Sequence, residues 1–238
     1  MEKMQRGTIE YNSKLLEIPH YKKHPQMIPF VGRNWGKKYK KMLIIAESHY
    51  LENKDENKEI IKNWYEKPID VLKNGDDNVC EWTSTAKLTD CTDYKSRGHR
   101  LWLNLDYAIH NQETGFHSDE KEHVFSYIAF MNFFQRPAQN TGASINPEGK
   151  DCEVANGTLK DVIKIIAPDF LFFVSNKAWQ CYDKNEKVFN QNCVGHSSHP
   201  ACRWWNKPSN KYKNHKTNQK ATGKEAFMSF IKFNNIFA

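Results

Sequence analysis

The chain of 238 residues has no apolar run near the ~18 residues that a membrane span needs, which excludes a transmembrane helix. Its opening stretch, MEKMQRGTIEYNSK, lacks the apolar centre of a signal peptide, so a cytoplasmic setting is expected. None of the six cysteines (Cys80, Cys91, Cys152, Cys181, Cys193, Cys202) stands in a C-x-x-C pair. Zinc and iron–sulfur sites ordinarily use tighter spacing, so reduced thiols, no metal and no cofactor are expected. No internal repeat and no Gly/Ser linker divides the chain, so residues 1–238 read as one domain, expected to be a monomer. One region lacks acids altogether. Arg203 to Lys224, RWWNKPSNKYKNHKTNQKATGK, holds seven Lys or Arg and no Asp or Glu. Such a run is either a solvated loop or a surface that faces phosphates, and the aromatics Trp204, Trp205 and Tyr212 within it favour phosphates.

Four short apolar runs are present: MLIIAES (42–48), FMNFFQR (130–136), DFLFFVS (169–175) and the weaker CVGHSSH (193–199). Two are almost continuously apolar, as in strands buried on both faces. Helical patterns lie among them. SDEKEHVFSYIAF opens on a capping signature and runs into the second strand, RLWLNLDYAIHN reads as a helix, and NGTLKDVIKIIAPD is stopped by Pro168. NKAWQCYDK and GKEAFMSFIKFNNIF supply two more. Alternating strands and helices predict an α/β fold with a parallel sheet covered on both sides. Ligands of such sheets bind at the carboxyl ends of the strands. Glu47-Ser48-His49-Tyr50, Asn132 and His199-Pro200 are expected there together. Residues 51–125 form an insertion that leaves from the carboxyl end of the first of these strands and is expected to wall the pocket.

The chemistry of these residues leaves alternatives. Glu47 is a surface or capping acid, or a carboxylate that positions water. Ser48 with a histidine would make a hydrolase, but no G-x-S-x-G elbow surrounds it and adjacent residues of a strand point apart. His196 and His199, with Cys202, do not have a metal-binding spacing. His199, extended before proline, suits a neutral imidazole donating to an oxyanion. Asn132 is a buried amide that bonds either a loop backbone or a nucleobase edge.

In order and placement the four strand ends resemble the uracil-DNA glycosylase superfamily. LIIAES resembles the strand that ends in Gly-Glu or Gly-Gln, with Ala46 in place of glycine. FMNFFQRPAQN is similar to the strand with a base-reading Asn and a Lys-Cys-Arg-Pro segment. IAPDFLFFVSNKAW looks like the Pro-Asp strand and its short helix, and HPACRWW like the His-Pro-Ser motif with its intercalating loop. The resemblance covers residues 40–50 and 125–206. It implies a three-layer α/β/α sandwich with a central four-stranded parallel sheet, order 2-1-3-4, and a base-flipping enzyme that hydrolyses an N-glycosidic bond in duplex or single-stranded DNA. It implies Glu47 and His199 as catalytic residues. Ser48, His49, Tyr50 and Asn132 would hold the base, and Ser197, Ser198, Arg203, Trp204, Trp205 and Lys207 the DNA. The 51–125 insertion lies where a uracil pocket closes. The expected substrate is therefore a larger damaged or modified base, with hypermodified cytosine of phage DNA, and so antiviral defence, as one setting. A non-catalytic DNA binder of the same fold and a Ser48-dependent hydrolase are the alternatives.

Overall fold

A computed structural model describes residues 6–90, 99–117, 123–184 and 189–238. The protein is a mixed α/β fold around a five-stranded sheet, in the spatial order β1-β3-β2-β4-β5. The strands are β1 (Phe30–Val31), β2 (Met42–Ala46), β3 (Ala129–Asn132), β4 (Phe170–Phe173) and β5 (Val194–His196). β2, β3, β4 and β5 run parallel, and β1 closes one edge antiparallel to β3. Four of these strands are legible as apolar runs in the sequence. The fifth, β1, is two residues long, too short to show a periodicity of its own. The parallel strands are also shorter than their apolar runs; β3 ends at Asn132, and Phe133 to Arg136 continue as bends beside the residues that follow β2.

Alternate residues of β2 and β4 enter different cores. Leu43, Ile45, Leu171 and Phe173 join one apolar cluster, while Met42, Ile44, Phe170 and Phe172 join the other. That alternation is the two-residue repeat of a strand with both faces dry. Each fully buried side chain of this size contributes about 1.5–3 kcal/mol. Four helices matter most for the site: α1 (Arg100–Ile109), α2 (Gly149–Ile166), α3 (Asn176–Cys181) and α4 (Gly223–Phe233). Ala155, Leu159, Val162 and Ile166 of α2 and Ala178 of α3 belong to the first cluster. Leu101, Leu105 and Ile109 of α1 and Phe227, Phe230 and Ile231 of α4 belong to the second. Among the described residues no helix is long and apolar enough to cross a membrane.

Local chemistry sets the helix ends. Glu148 and Asp151 form a capping box at the start of α2, and Thr222 and Glu225 form one at the start of α4. Ala167 adopts a left-handed conformation (φ 44°) that ends α2 just before Pro168. Gly195 lets β5 lie against α4. A Cβ there would come within 2.6 Å of the Phe172 ring and 2.7 Å of the Phe230 ring.

Three expectations are corrected. The helix expected from Ser118 begins outside the described residues, and what is described, Val124–Ser126, is a single 3-10 turn before β3. The basic run is no plain loop, since Ser209–Lys213 and Lys220–Ala221 pair as an antiparallel hairpin, β6 and β7. The cysteines are not all free. Cys152 of α2 and Cys181 of α3 form a disulfide with their Cα atoms 5.4 Å apart, while Cys80, Cys193 and Cys202 are free thiols. Two helices packed on one face of the sheet bring together cysteines that lie 29 residues apart, so local spacing could not show the pair.

Candidate active site

β2 and β3 are paired so that Ala46 lies opposite Asn132. The residues after β2 and the last residue of β3 therefore emerge side by side. β4 pairs with the other side of β2, and β5 follows it. At ~4.8 Å per strand, β2 and β5 are about 10 Å apart, close enough for loops from both to share one cleft. A cavity of about 660 Å³ opens there. Its wall includes Ser48, His49, Tyr50, Asn132, Gly142, His199 and Ala201 from the strand ends and their loops. The 51–125 segment adds Glu81, Trp82, Lys87, Leu88, His99, Leu101 and Trp102. The segment is tied to the His199 loop as well, because the Asn104 side chain donates to the Pro200 carbonyl at 2.8 Å.

The His199 loop is folded back on itself. The Cys202 N–H donates to the His199 carbonyl at 2.9 Å, and the Ala201 N–H donates to His199 Nδ1 at 3.2 Å. A nitrogen that accepts carries no proton, so Nε2 is the proton-bearing nitrogen of the neutral ring. Burial pushes the imidazole below its ordinary pKa, against the opposing pull of the Glu47 carboxylate. His199 is therefore a neutral donor at pH 7.

Asn132 is buried on the cavity wall, and its side-chain amide makes no hydrogen bond among the described residues. Its carbonyl, by contrast, accepts from Gln135 Nε2 at 2.7 Å. A buried amide with both ends open is a ready partner for a ligand. Tyr50 stands edge-on to Trp82, with the ring centres 5.7 Å apart.

Glu47 directly precedes the cavity-lining Ser48, and three donors hold its carboxylate. Oε2 accepts from the Ser175 hydroxyl at 2.6 Å. Oε1 accepts from the Ser144 hydroxyl and from the Ile145 N–H, the latter at 3.1 Å. Ser175 also caps α3, since its Oγ accepts from the Ala178 N–H at 3.2 Å. No pattern in the sequence marks Ser144 or Ser175 as a partner of Glu47. Ser175 was legible as the cap of a helix after a strand, but its second partner, 128 residues away, was not.

Other expected residues go elsewhere. His49 lines the cavity, yet its Nε2 meets Thr85 Oγ1 at 3.0 Å. Thr85 gives its own proton to the Met27 carbonyl, so His49 Nε2 is the donor. Burial lowers the His49 pKa to about 3. His196 stacks on Trp179 with ring centres 4.4 Å apart. Among the described residues the Ser48 hydroxyl bonds neither histidine, and no group of three or more His, Cys, Asp or Glu is placed to hold a metal ion. Ser197 and Ser198 are buried, with the Ser197 hydroxyl on the Ser198 carbonyl, so neither side chain is at the surface. Trp205 is 1% exposed and packs on Phe227, which removes it from the expected wedge and makes it a core residue. Arg203, Trp204 and Lys207 are exposed, and the Arg203 guanidinium lies 4.3 Å over the Trp204 ring.

One buried ion pair supports the cleft from below. Arg136, in the turn after β3, makes a two-pronged contact with Asp151 at 2.7 and 2.8 Å. The Tyr65 hydroxyl adds a third bond to Asp151, at 2.7 Å. The pair fastens the start of α2 to the loop that follows Asn132.

No protein-family model matches the chain, and no curated protein or solved structure matches it.

Proposed function

We propose that the protein is a monofunctional DNA glycosylase that flips a damaged or modified base and hydrolyses its N-glycosidic bond, leaving an abasic site. One observation carries the reading. A neutral, Nε2-protonated His199 and the unbonded amide of Asn132 line one cavity beside the Glu47 carboxylate. The finer fold reading belongs to the same proposal: a three-layer sandwich of the uracil-DNA-glycosylase type, whose four parallel strands taken in chain order lie 2-1-3-4. Helices on both faces of the sheet support it.

In the proposed reaction, water adds to the sugar C1′ while the C–N bond breaks and its electron pair leaves with the base. The base departs as an anion and receives the proton lost by the water. His199 Nε2–H donates to the developing oxyanion of the base. Glu47 offers negative charge to the sugar cation. Three of its ~four acceptor positions are taken by protein donors, so about one remains for water. Asn132 presents one donor and one acceptor to the base edge, and Tyr50 its ring. The 660 Å³ cavity lies within the ~300–1,000 Å³ typical of sites for drug-sized ligands, more than one bare pyrimidine ring requires. That supports a base with a bulky substituent, hypermodified cytosine of phage DNA being one such base. Arg203 and Trp204 would enter the gap left by the flipped nucleotide, with Lys207 on a phosphate.

The test is a panel of uracil-containing, deaminated, alkylated and hypermodified phage DNA, treated with alkali and assayed for free base by mass spectrometry. Release is expected from at least one substrate. Glu47→Ala and His199→Ala should each lower it by about 10²-fold or more while DNA binding persists. A full panel without release refutes the reading. A second reading, a DNA binder without catalysis, is favoured by the absence of Glu47 from the cavity lining. Tight, salt-dependent binding without release would establish it.

A further inference from the structure

We infer that the β6–β7 hairpin is a second DNA-contacting element, one that tracks the phosphate backbone beside the cavity. The inference rests on the proposed DNA substrate. The chain's formal charge is +7, and the stretch from Arg203 to Lys224 holds seven cations and no acid. The rest of the chain is thus balanced, and the entire excess belongs to this hairpin and its flanks.

The hairpin presents that charge outward. Tyr212 is buried and meets His196 edge-on, whereas Lys211 and Lys213 on either side of it are exposed. Residues i and i+2 of a strand share a face and lie about 6.8 Å apart, two steps of the ~3.4 Å charge spacing along one DNA strand. Lys216 and Lys220 are exposed at the turn and on the return strand. Among the described residues none of these four lysines has an ion-pair partner. Elsewhere several surface lysines are neutralised, among them Lys58 by Asp55, Lys150 by Glu66 and Lys164 by Asp161. A solubilising surface has no need of seven cations in one stretch without an acid, while a polyanion rewards it through counterion release.

The position fits as well. The hairpin continues directly from the Arg203–Trp204 turn. Its return strand leads into Gly223, where a Cβ would lie 2.1 Å from Ser198 Oγ, so its base is seated against the loop that carries His199. DNA that reaches the cavity therefore has this face alongside it.

The test compares Lys211→Ala/Lys213→Ala, and the same pair with Lys216→Ala/Lys220→Ala, against wild-type protein. The dependence of duplex affinity on salt is measured by fluorescence anisotropy. All four side chains are exposed, so the circular dichroism melt should not move. The slope of log K against log salt is expected to fall by about 2 in the double variant and by about 3–4 in the quadruple one. Base release at saturating DNA should be unchanged. A control, Lys58→Ala/Lys164→Ala, should leave the slope as it is. Wild-type binding with an unaltered slope in the quadruple variant overturns the inference alone. A lowered slope in a protein that releases no base would uphold the hairpin's role and refute the glycosylase reading. Binding of the hairpin to anionic vesicles, with no change in DNA affinity, would assign it to a membrane surface and overturn the inference.

Discussion

Ser175 is expected to be the residue on which the position of Glu47 most depends. Its hydroxyl is fully buried, donates to Glu47 Oε2 at 2.6 Å and accepts from the Ala178 N–H at 3.2 Å. Ser175→Ala removes both bonds. Loss of a helix cap costs about 1 kcal/mol. Loss of a hydrogen bond to a charged acceptor costs about 1.5–3 kcal/mol. The variant should therefore be destabilised by about 2.5–4 kcal/mol, of which only the capping part persists when Glu47 can no longer benefit. Glu47→Ala and the double variant complete a cycle read by urea denaturation at pH 7. The expected coupling is about 1.5–3 kcal/mol. The same substitution should lower base release without altering DNA affinity, since Glu47 would lose its orientation. Additive effects in the cycle, with coupling below ~0.5 kcal/mol, would refute the argument that Ser175 holds the carboxylate.

The adjacent tryptophans should separate cleanly. Trp205→Ala empties a core position and should cost about 3–5 kcal/mol in a denaturant melt. Trp204→Ala should leave the melt in place and weaken single-strand DNA binding by about 1–3 kcal/mol. The reverse pattern would restore Trp205 as the wedge. Acid should unfold the protein early. Burial lowers the pKa of His20 to about 3, of His24 to about 4 and of His49 to about 3. Their unfolded values lie near 6.5, so below that pH the unfolded chain binds protons that the folded chain refuses. The stability they confer is complete above pH ~6.5 and is lost as pH falls toward 4–3, at up to about 1.4 kcal/mol per pH unit for each histidine. A urea midpoint that stays flat from pH 7 to pH 5 would contradict this. Arg136→Met leaves Asp151 buried without its partner and should cost about 3–5 kcal/mol. A loss below 1 kcal/mol would mean that the pair does not secure the start of α2.

The parallel strands and the main helices are legible in the order of residues, because a dry strand and an amphipathic helix each write their period into consecutive positions. MLIIA, FLFF and the Leu159-Val162-Ile163-Ile166 stripe could pack in few other ways. The same order brings Asn132, His199 and the residues after β2 to one edge, since strand ends follow from strand direction. Packing sets what depends on partners far along the chain. Whether Trp204 or Trp205 points outward is a matter of one turn's rotation and of Phe227, 22 positions beyond Trp205. The two-residue β1 exists only because β3 offers it an edge. His199 is neutral because a backbone N–H blocks one nitrogen and burial penalises its charge. Glu47 is held by Ser144 and Ser175, residues no local pattern connects to it. Contacts of that range follow from packing, and a single chain's order of residues does not encode them in any short window.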